Sequence, residues 1–218
     1  MNLKSTYIKD LIAKGENQQL DFKFEITDSK KIARTLSAFS NTDGGTLLIG
    51  VKDNGVIKGI NSNEEYHMVE AAAEMYCQPK IAFTAKEWLV EGKTILEIKI
   101  AKRNGLPHKA PNHDGKMMVF IRVKDQNLIA DSILLKVWNE KQNNIQIKVE
   151  YKDAEKALLS YLRDHPQITL RQFCFLAMIT KIRAEKILIN FILLDIIKII
   201  ITENQTYYAL ADEYTKKD

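Results

Sequence analysis

The chain has 218 residues, of which 45% are hydrophobic and 28% are charged, and its formal net charge is +4. This composition is typical of a globular chain with one large domain, or one domain and a smaller one, and it excludes collagen-like and low-complexity proteins. The small excess of positive charge permits a nucleic-acid partner without requiring one. Two isolated cysteines, Cys77 and Cys174, favour a reducing, cytoplasmic location.

Nothing in the sequence predicts an association with a membrane. The first 15 residues carry charges throughout and lack the apolar core of a signal peptide. The most apolar run, residues 187–201, is interrupted by Asn190, Asp195 and Lys198. It is shorter than the roughly 20 residues that a membrane-spanning helix needs, so it is typical of a buried core or a subunit interface.

The first part of the chain mixes predicted helices and strands. Alternation in residues 19–26 predicts a strand with Leu20, Phe22 and Phe24 on one face and Asp21 and Lys23 on the other. Periodicity, glycines and prolines predict the other elements. In chain order they are a helix over 3–14, a helix over 29–40, a buried strand over 46–51, a hairpin turn at 52–55 with a short return strand, a helix over 62–77, strands over 81–90 and 94–102, a polar loop over 103–116, a strand over 117–123 and a helix over 128–141.

The second part of the chain follows a polar stretch, residues 143–152, that we interpret as a linker. Helices are predicted over 153–164, over 169–177 and from an N-cap at Thr180, followed by two strands around the turn 203–205. Three helices and a hairpin in this order are typical of a winged helix. The predicted fold class is therefore α+β: a mixed-sheet domain over 1–142, a small winged-helix-like domain over 153–211, and a polar tail over 212–218.

Three carboxylates could form one acidic site in the first domain. Glu16 lies in the loop before the strand, Asp21 lies on the strand and Asp53 lies on the following hairpin turn. Such oxygen ligands could hold Mg²⁺ or Mn²⁺ to activate water against a phosphodiester, with Lys23 neutralising developing charge. The alternative is that these residues form a solvated strand face and a turn, which spacing alone favours.

Basic residues are concentrated in two places. The segment from Lys99 to Lys124 contains seven basic residues and one acid, Asp114, and it is either a phosphate-contacting surface or a solvated loop. Its candidate nucleic-acid contacts are Lys102, Arg103, Lys109, Lys116 and Arg122. The predicted third helix of the second domain begins with Lys181, Arg183 and Lys186, where a recognition helix meets the major groove. Winged helices also serve as protein-interaction modules, and the strongly apolar remainder of this helix could pack against a second copy.

The motifs GENQQLDFK and SAFSNTDGGTLLIGVKDNG, followed by PHKAPNHDGKMMVFIRVKDQNLIA, resemble the Schlafen/AlbA-like domain family. The resemblance covers about residues 5–142 and departs from the family pattern at Asp21, where Glu is usual. It implies a DNA-binding or divergent ATP-binding domain. In nuclease members, it implies acids at the positions of Glu16, Asp21 and, less closely, Asp53. Prokaryotic-type members with a C-terminal winged helix are read as transcription regulators.

We therefore expect a cytoplasmic nucleic-acid-binding protein that regulates transcription, binds DNA in preference to RNA and forms a homodimer. The first alternative is a Mg²⁺- or Mn²⁺-dependent endoribonuclease that acts on structured RNA. The second is an ATP-binding or protein-interaction scaffold, although the sequence contains no phosphate-binding loop motif.

Overall fold

The computed structural model describes residues 3–60, 63–143 and 151–215. The chain divides into two compact units, Met1–Ile129 and Ala130–Asp218, and each has its own hydrophobic core. None of the helices within these described ranges has both the length and the apolar character of a membrane-spanning segment.

The first unit contains a mixed four-stranded sheet and a three-stranded antiparallel sheet. Its elements are α1 (Leu3–Ala13), β1 (Leu20–Lys23), α2 (Ser29–Asn41), β2 (Gly45–Ile49), α3 (Glu64–Met75), β3 (Phe83–Val90), β4 (Lys93–Ile100), β5 (Lys109–Pro111), β6 (Met117–Val123) and β7 (Gln126–Ile129). The larger sheet has the order β1-β2-β4-β3, in which β1 pairs with β2 in parallel and the other pairs are antiparallel. The smaller sheet has the order β5-β6-β7.

The four-stranded sheet is covered on both faces, which explains the continuous apolar run in β2. Leu48 packs with Ile8 of α1 and with Phe22 of β1 on one face. Leu47 and Ile49 point to the opposite face, where they join the core formed with α2 and α3. The face of β1 that carries Asp21 also lies on this second side of the sheet. Asp21 is therefore directed into the protein rather than into water.

The second unit is a helical bundle with a hairpin. Its elements are α4 (Ser132–Gln142), α5 (Asp153–Asp164), α6 (Leu170–Leu176), α7 (Lys181–Leu193), β8 (Ile197–Ile201), β9 (Thr206–Leu210) and the short α8 (Asp212–Thr215). Phe173 of α6 and Leu188 of α7 are fully buried at its centre. Ile168, just before α6, exchanges two backbone hydrogen bonds of 2.8 Å with Tyr208 and so joins the hairpin. The predicted three helices and hairpin are therefore present.

Several predictions from the sequence differ from the structure. The predicted loop 103–116 contains β5, and the predicted helix 128–141 starts late because β7 precedes it. Phe24, which alternation placed on the same strand face as Leu20 and Phe22, is 40% exposed, because β1 ends at Lys23 and the alternation stops with it. Four residues of the predicted polar tail form α8. Most of the predicted linker, residues 144–150, lies outside the described residues.

Candidate nucleic-acid interface

Asp21 is a buried carboxylate held between two cations. Its residue is 3% exposed, and its Oδ1 accepts a hydrogen bond of 3.0 Å from Nη2 of Arg122 on β6. Its Oδ2 lies 3.0 Å from Nζ of Lys23, which shares the same face of β1. Alternation predicts this shared face, but the sequence does not show that β6 covers it.

The guanidinium of Arg122 forms several hydrogen bonds with residues of the first unit. Its guanidinium donates to Asp21 and to the carbonyl oxygens of Asn17 and Leu20, and its Nη1 donates to Oδ1 of Asn127 at 3.0 Å. The residue is only 2% exposed. The prediction that Arg122 contacts a phosphate is therefore wrong for this structure, because the buried carboxylate of Asp21 draws the side chain inward.

Glu16 lies beside Asp21 at the start of the same motif. Its Oε1 accepts a hydrogen bond of 2.9 Å from the backbone N–H of Phe22 and lies 3.9 Å from Nζ of Lys23. Burial raises the pKa of Glu16, and the neighbouring Asp21 carboxylate raises it further against the lowering effect of the Phe22 hydrogen bond. Glu16, Asp21 and Lys23 thus form one electrostatic group.

Asp53 does not complete a metal site with these residues. It is exposed on the turn after β2, where it lines a shallow cavity of about 500 Å³ with Phe24 and Lys58. In the parts of the chain that the structure describes, no three His, Cys, Asp or Glu residues are grouped to hold a metal ion. Because Arg122 and Lys23 approach the two oxygens of Asp21, the acidic motif in this arrangement does not fit a divalent cation.

Asn41 and Thr42 of the second motif connect the end of α2 to the smaller sheet by hydrogen bonds. The Nδ2 of Asn41 donates to the carbonyl oxygens of His108 and Phe120, while its Oδ1 accepts from the N–H of His108 at 2.9 Å. The hydroxyl of Thr42 accepts from the backbone N–H of Arg122 at 2.9 Å. These two residues of the family motif therefore have a structural role.

The two glycines that follow allow a close approach of backbone and ring. A Cβ at Gly44, which has φ of 70°, would lie 2.8 Å from the carbonyl oxygen of Ile100. A Cβ at Gly45 would lie 2.4 Å from the ring of Phe39. Any larger residue would therefore displace α2 or β4, so the Gly-Gly motif is explained by packing rather than by phosphate binding.

The predicted basic contacts of the first unit are distributed over its surface. Lys102, Lys109 and Lys116 are exposed, whereas Arg103 is half-buried and burial lowers the pKa of its guanidinium. Lys102 also lines a cleft of about 450 Å³ that includes Lys14 and Lys99. Lys14 is a candidate contact that the sequence did not single out, because it belongs to an ordinary amphipathic helix pattern.

The three predicted basic residues of α7 are all exposed in its first two turns. Thr180 caps the helix by accepting a hydrogen bond from the N–H of Arg183, which confirms the predicted N-cap. Lys181 lies 3.8 Å from Glu185, one turn along the helix. Among the described residues, Arg183 and Lys186 form no ion pair, so their charges are available to an external anion.

The sequence reasoning missed three exposed apolar residues next to these cations, Phe175, Met178 and Ile182. Phe175 and Met178 belong to the apolar run 173–179, and apolar residues at helical spacing are ordinarily assigned to a core, so no sequence signal marks them as exposed.

Comparison with known proteins supports the sequence-based family assignment. A family model described as Schlafen, AlbA_2 matches residues 16–131, which is more than half of the chain. The DIP2311 protein of Corynebacterium diphtheriae is similar at 18% identity with a TM-score of 0.46, and the match covers 73% of this chain and 37% of that one. The N-terminal domain of a Nitrosomonas europaea protein described as related to the ATP-dependent DNA helicase RecG matches at 21% identity with a TM-score of 0.38, covering 61% of this chain and 97% of that domain. Since the family model matches more than half of the chain, including the β6 strand that carries Arg122, the chain belongs to the Schlafen/AlbA_2 family.

Proposed function

We propose that this protein binds nucleic acid, with DNA preferred over RNA, and that it regulates transcription. The observation that carries the proposal is the exposed basic side of α7, where Arg183 and Lys186 have no ion-pair partner among the described residues. Lys and Arg side chains without acidic partners are available to replace counterions along a phosphate backbone. Membership of the Schlafen/AlbA_2 family supports the association with nucleic acid.

We assign the second unit to the winged-helix class. The order α5, the bridge at Ile168, α6, α7 and the β8–β9 hairpin supports this assignment, in which α7 is the third helix and would enter the major groove. In this assignment Lys181, Arg183 and Lys186 contact DNA, and Lys102, Lys109 and Lys116 add phosphate contacts. A homodimer would place two such helices at half-sites about one helical turn apart.

The experiment that tests this function is a titration of labelled duplex DNA with the full chain at several salt concentrations. We expect an affinity that falls steeply as salt rises, because each released counterion contributes to the slope. A chain that binds neither DNA nor RNA at low salt would overturn the proposal and would favour the protein-interaction or ATP-binding scaffold.

The second candidate function is the divalent-metal-dependent endoribonuclease, which stays a prediction. The observation in its favour is that the carboxylates of Glu16 and Asp21 lie close enough to interact, although a divalent cation would have to displace Lys23 to bind them. Incubation of structured RNA with the chain in Mn²⁺ and in EDTA tests it. Metal-dependent cleavage that Asp21→Ala abolishes would support it, and intact RNA in all conditions would remove it.

A further inference from the structure

The three most exposed large apolar side chains in the described part of the second unit lie in or beside the turn between α6 and α7. Phe175 is 87% exposed, Met178 is 94% exposed and Ile182 is 82% exposed, and we call them the apolar tip. Phe175 belongs to α6 and Ile182 to α7, and the turn between them, which carries Met178, is ordered by backbone hydrogen bonds of 3.3 Å from Met178 to Phe175 and of 3.1 Å from Ile179 to Cys174. The apolar tip is therefore held in its exposed position by the fold, although moving such side chains out of water would lower the free energy of the system.

The segment that carries the apolar tip has only basic charged side chains; the nearest acid along the chain, Glu185, is largely buried and pairs with Lys136 and Lys181. Residues 165–184 contain no Asp or Glu, and Arg171, Lys181 and Arg183 are exposed within them. A symmetric contact with a second copy would place these cations against the same cations, which costs free energy. The charge of the surface therefore favours an anionic partner over a second copy of this chain.

An anionic partner that covers the apolar tip must also offer apolar surface. In an intact duplex the base faces are covered by their stacked neighbours, and among base substituents only thymine methyl groups are apolar in the major groove. Unpaired bases expose flat faces that stack on aromatic side chains, and apolar wedges such as Met and Ile pack against unstacked steps. Unpaired nucleotides thus match both the charge and the apolar character of this surface.

We propose that the second unit recognises nucleic acid in which unpaired bases adjoin a duplex. The cations of α7 bind the duplex phosphates, and the apolar tip packs against the unpaired bases. This inference rests on the proposed function and narrows its target class.

Three labelled probes of matched sequence test it by fluorescence anisotropy with the full chain. They are a blunt DNA duplex, the same duplex with a single-stranded extension, and the single strand alone. We expect the duplex with the extension to bind about tenfold more tightly than the blunt duplex, because stacking adds to the phosphate contacts. Equal affinity for the two duplexes overturns the inference and leaves the proposed function intact, whereas no binding to any probe overturns both.

A pair of matched variants shows whether the apolar tip is responsible. Phe175→Ser should remove the preference for the extension without changing affinity for the blunt duplex or the salt dependence. Leu106→Ser, at a 69% exposed residue of the first unit, should leave the preference unchanged. If Phe175→Ser keeps the preference, the inference is wrong. If Phe175→Ser keeps the preference and also changes the sedimentation coefficient of the protein, the apolar tip is a protein contact instead.

Discussion

The contacts of Asp21 with Arg122 and Lys23 give this position of the first family motif a structural role. Both oxygens of this buried carboxylate face cations, and its two partners come from β1 itself and from β6. A buried charge that loses its partner retains a large desolvation cost, whereas an exposed charge does not. The first motif is thus part of the core of the first unit as well as a candidate site.

Replacing Asp21 by Asn should lower the free energy of unfolding by about 3 kcal/mol, because Arg122 is left buried without an anion. The matched control is Asp53→Asn, the same chemical change at an exposed residue, which should alter stability by less than about 0.5 kcal/mol. Urea unfolding followed by circular dichroism measures both. Equal losses in the two variants would show that the Asp21 contact with Arg122 does not stabilise the fold.

Glu16→Gln should change how stability depends on pH. Because burial raises the pKa of Glu16 in the folded chain, its contribution is fully present below the ordinary value of 4.5 and is lost as pH rises through the higher folded value. The amide keeps an acceptor for the Phe22 N–H and cannot ionise. The variant should therefore gain stability relative to the natural chain as pH rises above 4.5.

Unfolding midpoints in urea at a series of pH values measure this difference. Glu87→Gln, at an exposed residue of β3, is the control and should show no such trend. A constant difference between Glu16→Gln and the natural chain across the whole series would contradict the argument.

At this scale the sequence predicted which residues share a face but not what covers that face. Alternation correctly placed Asp21 opposite Leu20 and Phe22, with Lys23 beside it. Its ion-pair partner Arg122 is 101 residues away in the chain, and no local pattern specifies such a contact. The same distance explains why Arg122 was expected on the surface.

Elements specified by local chemistry were predicted well. The α5 helix spans the predicted residues, α2 is one residue longer than predicted, and the caps of α2 and α7 are supplied by Asp28 and Thr180. The short strands β5 and β7 were missed, because three or four residues containing Pro, Gln and Asn carry no periodic signal and depend on pairing with β6.

The basic side of α7 makes a prediction about salt dependence. Lys186→Ala should reduce the slope of log affinity against log salt concentration by about 1, because one phosphate contact is lost. Lys156→Ala, on the exposed side of α5 in the same unit, should leave the slope unchanged. Titrations of duplex DNA at four or more salt concentrations measure both slopes, and an unaltered slope for Lys186→Ala would place the DNA contact elsewhere.

For the molecule as a whole, the position of α4 decides where the second unit begins. Ile133 and Val137 of α4 are buried in the core that includes Leu158 and Leu188, and Lys136 of α4 forms an ion pair with Glu185. We propose that α4 belongs to the folding unit of the C-terminal half, although its sequence directly continues the family domain.

A fragment of residues 130–218 should therefore unfold cooperatively, whereas a fragment of residues 153–218 should be less stable by at least about 3 kcal/mol. The shorter fragment exposes the apolar surface that Ile133 and Val137 cover. Thermal unfolding followed by circular dichroism compares the two. Equal melting temperatures would show that α4 contributes nothing to this core.

The long separation between Asp21 and Arg122 has a consequence during synthesis on the ribosome. Lys23 and the parallel partner of β1 emerge soon after Asp21, but Arg122, the buried cation that binds the other oxygen of Asp21, is translated 101 residues later. Until then, the nascent first domain must keep this carboxylate in contact with water. Completion of the β1 surface is therefore a late step of co-translational folding, and it waits for β6 to leave the exit tunnel.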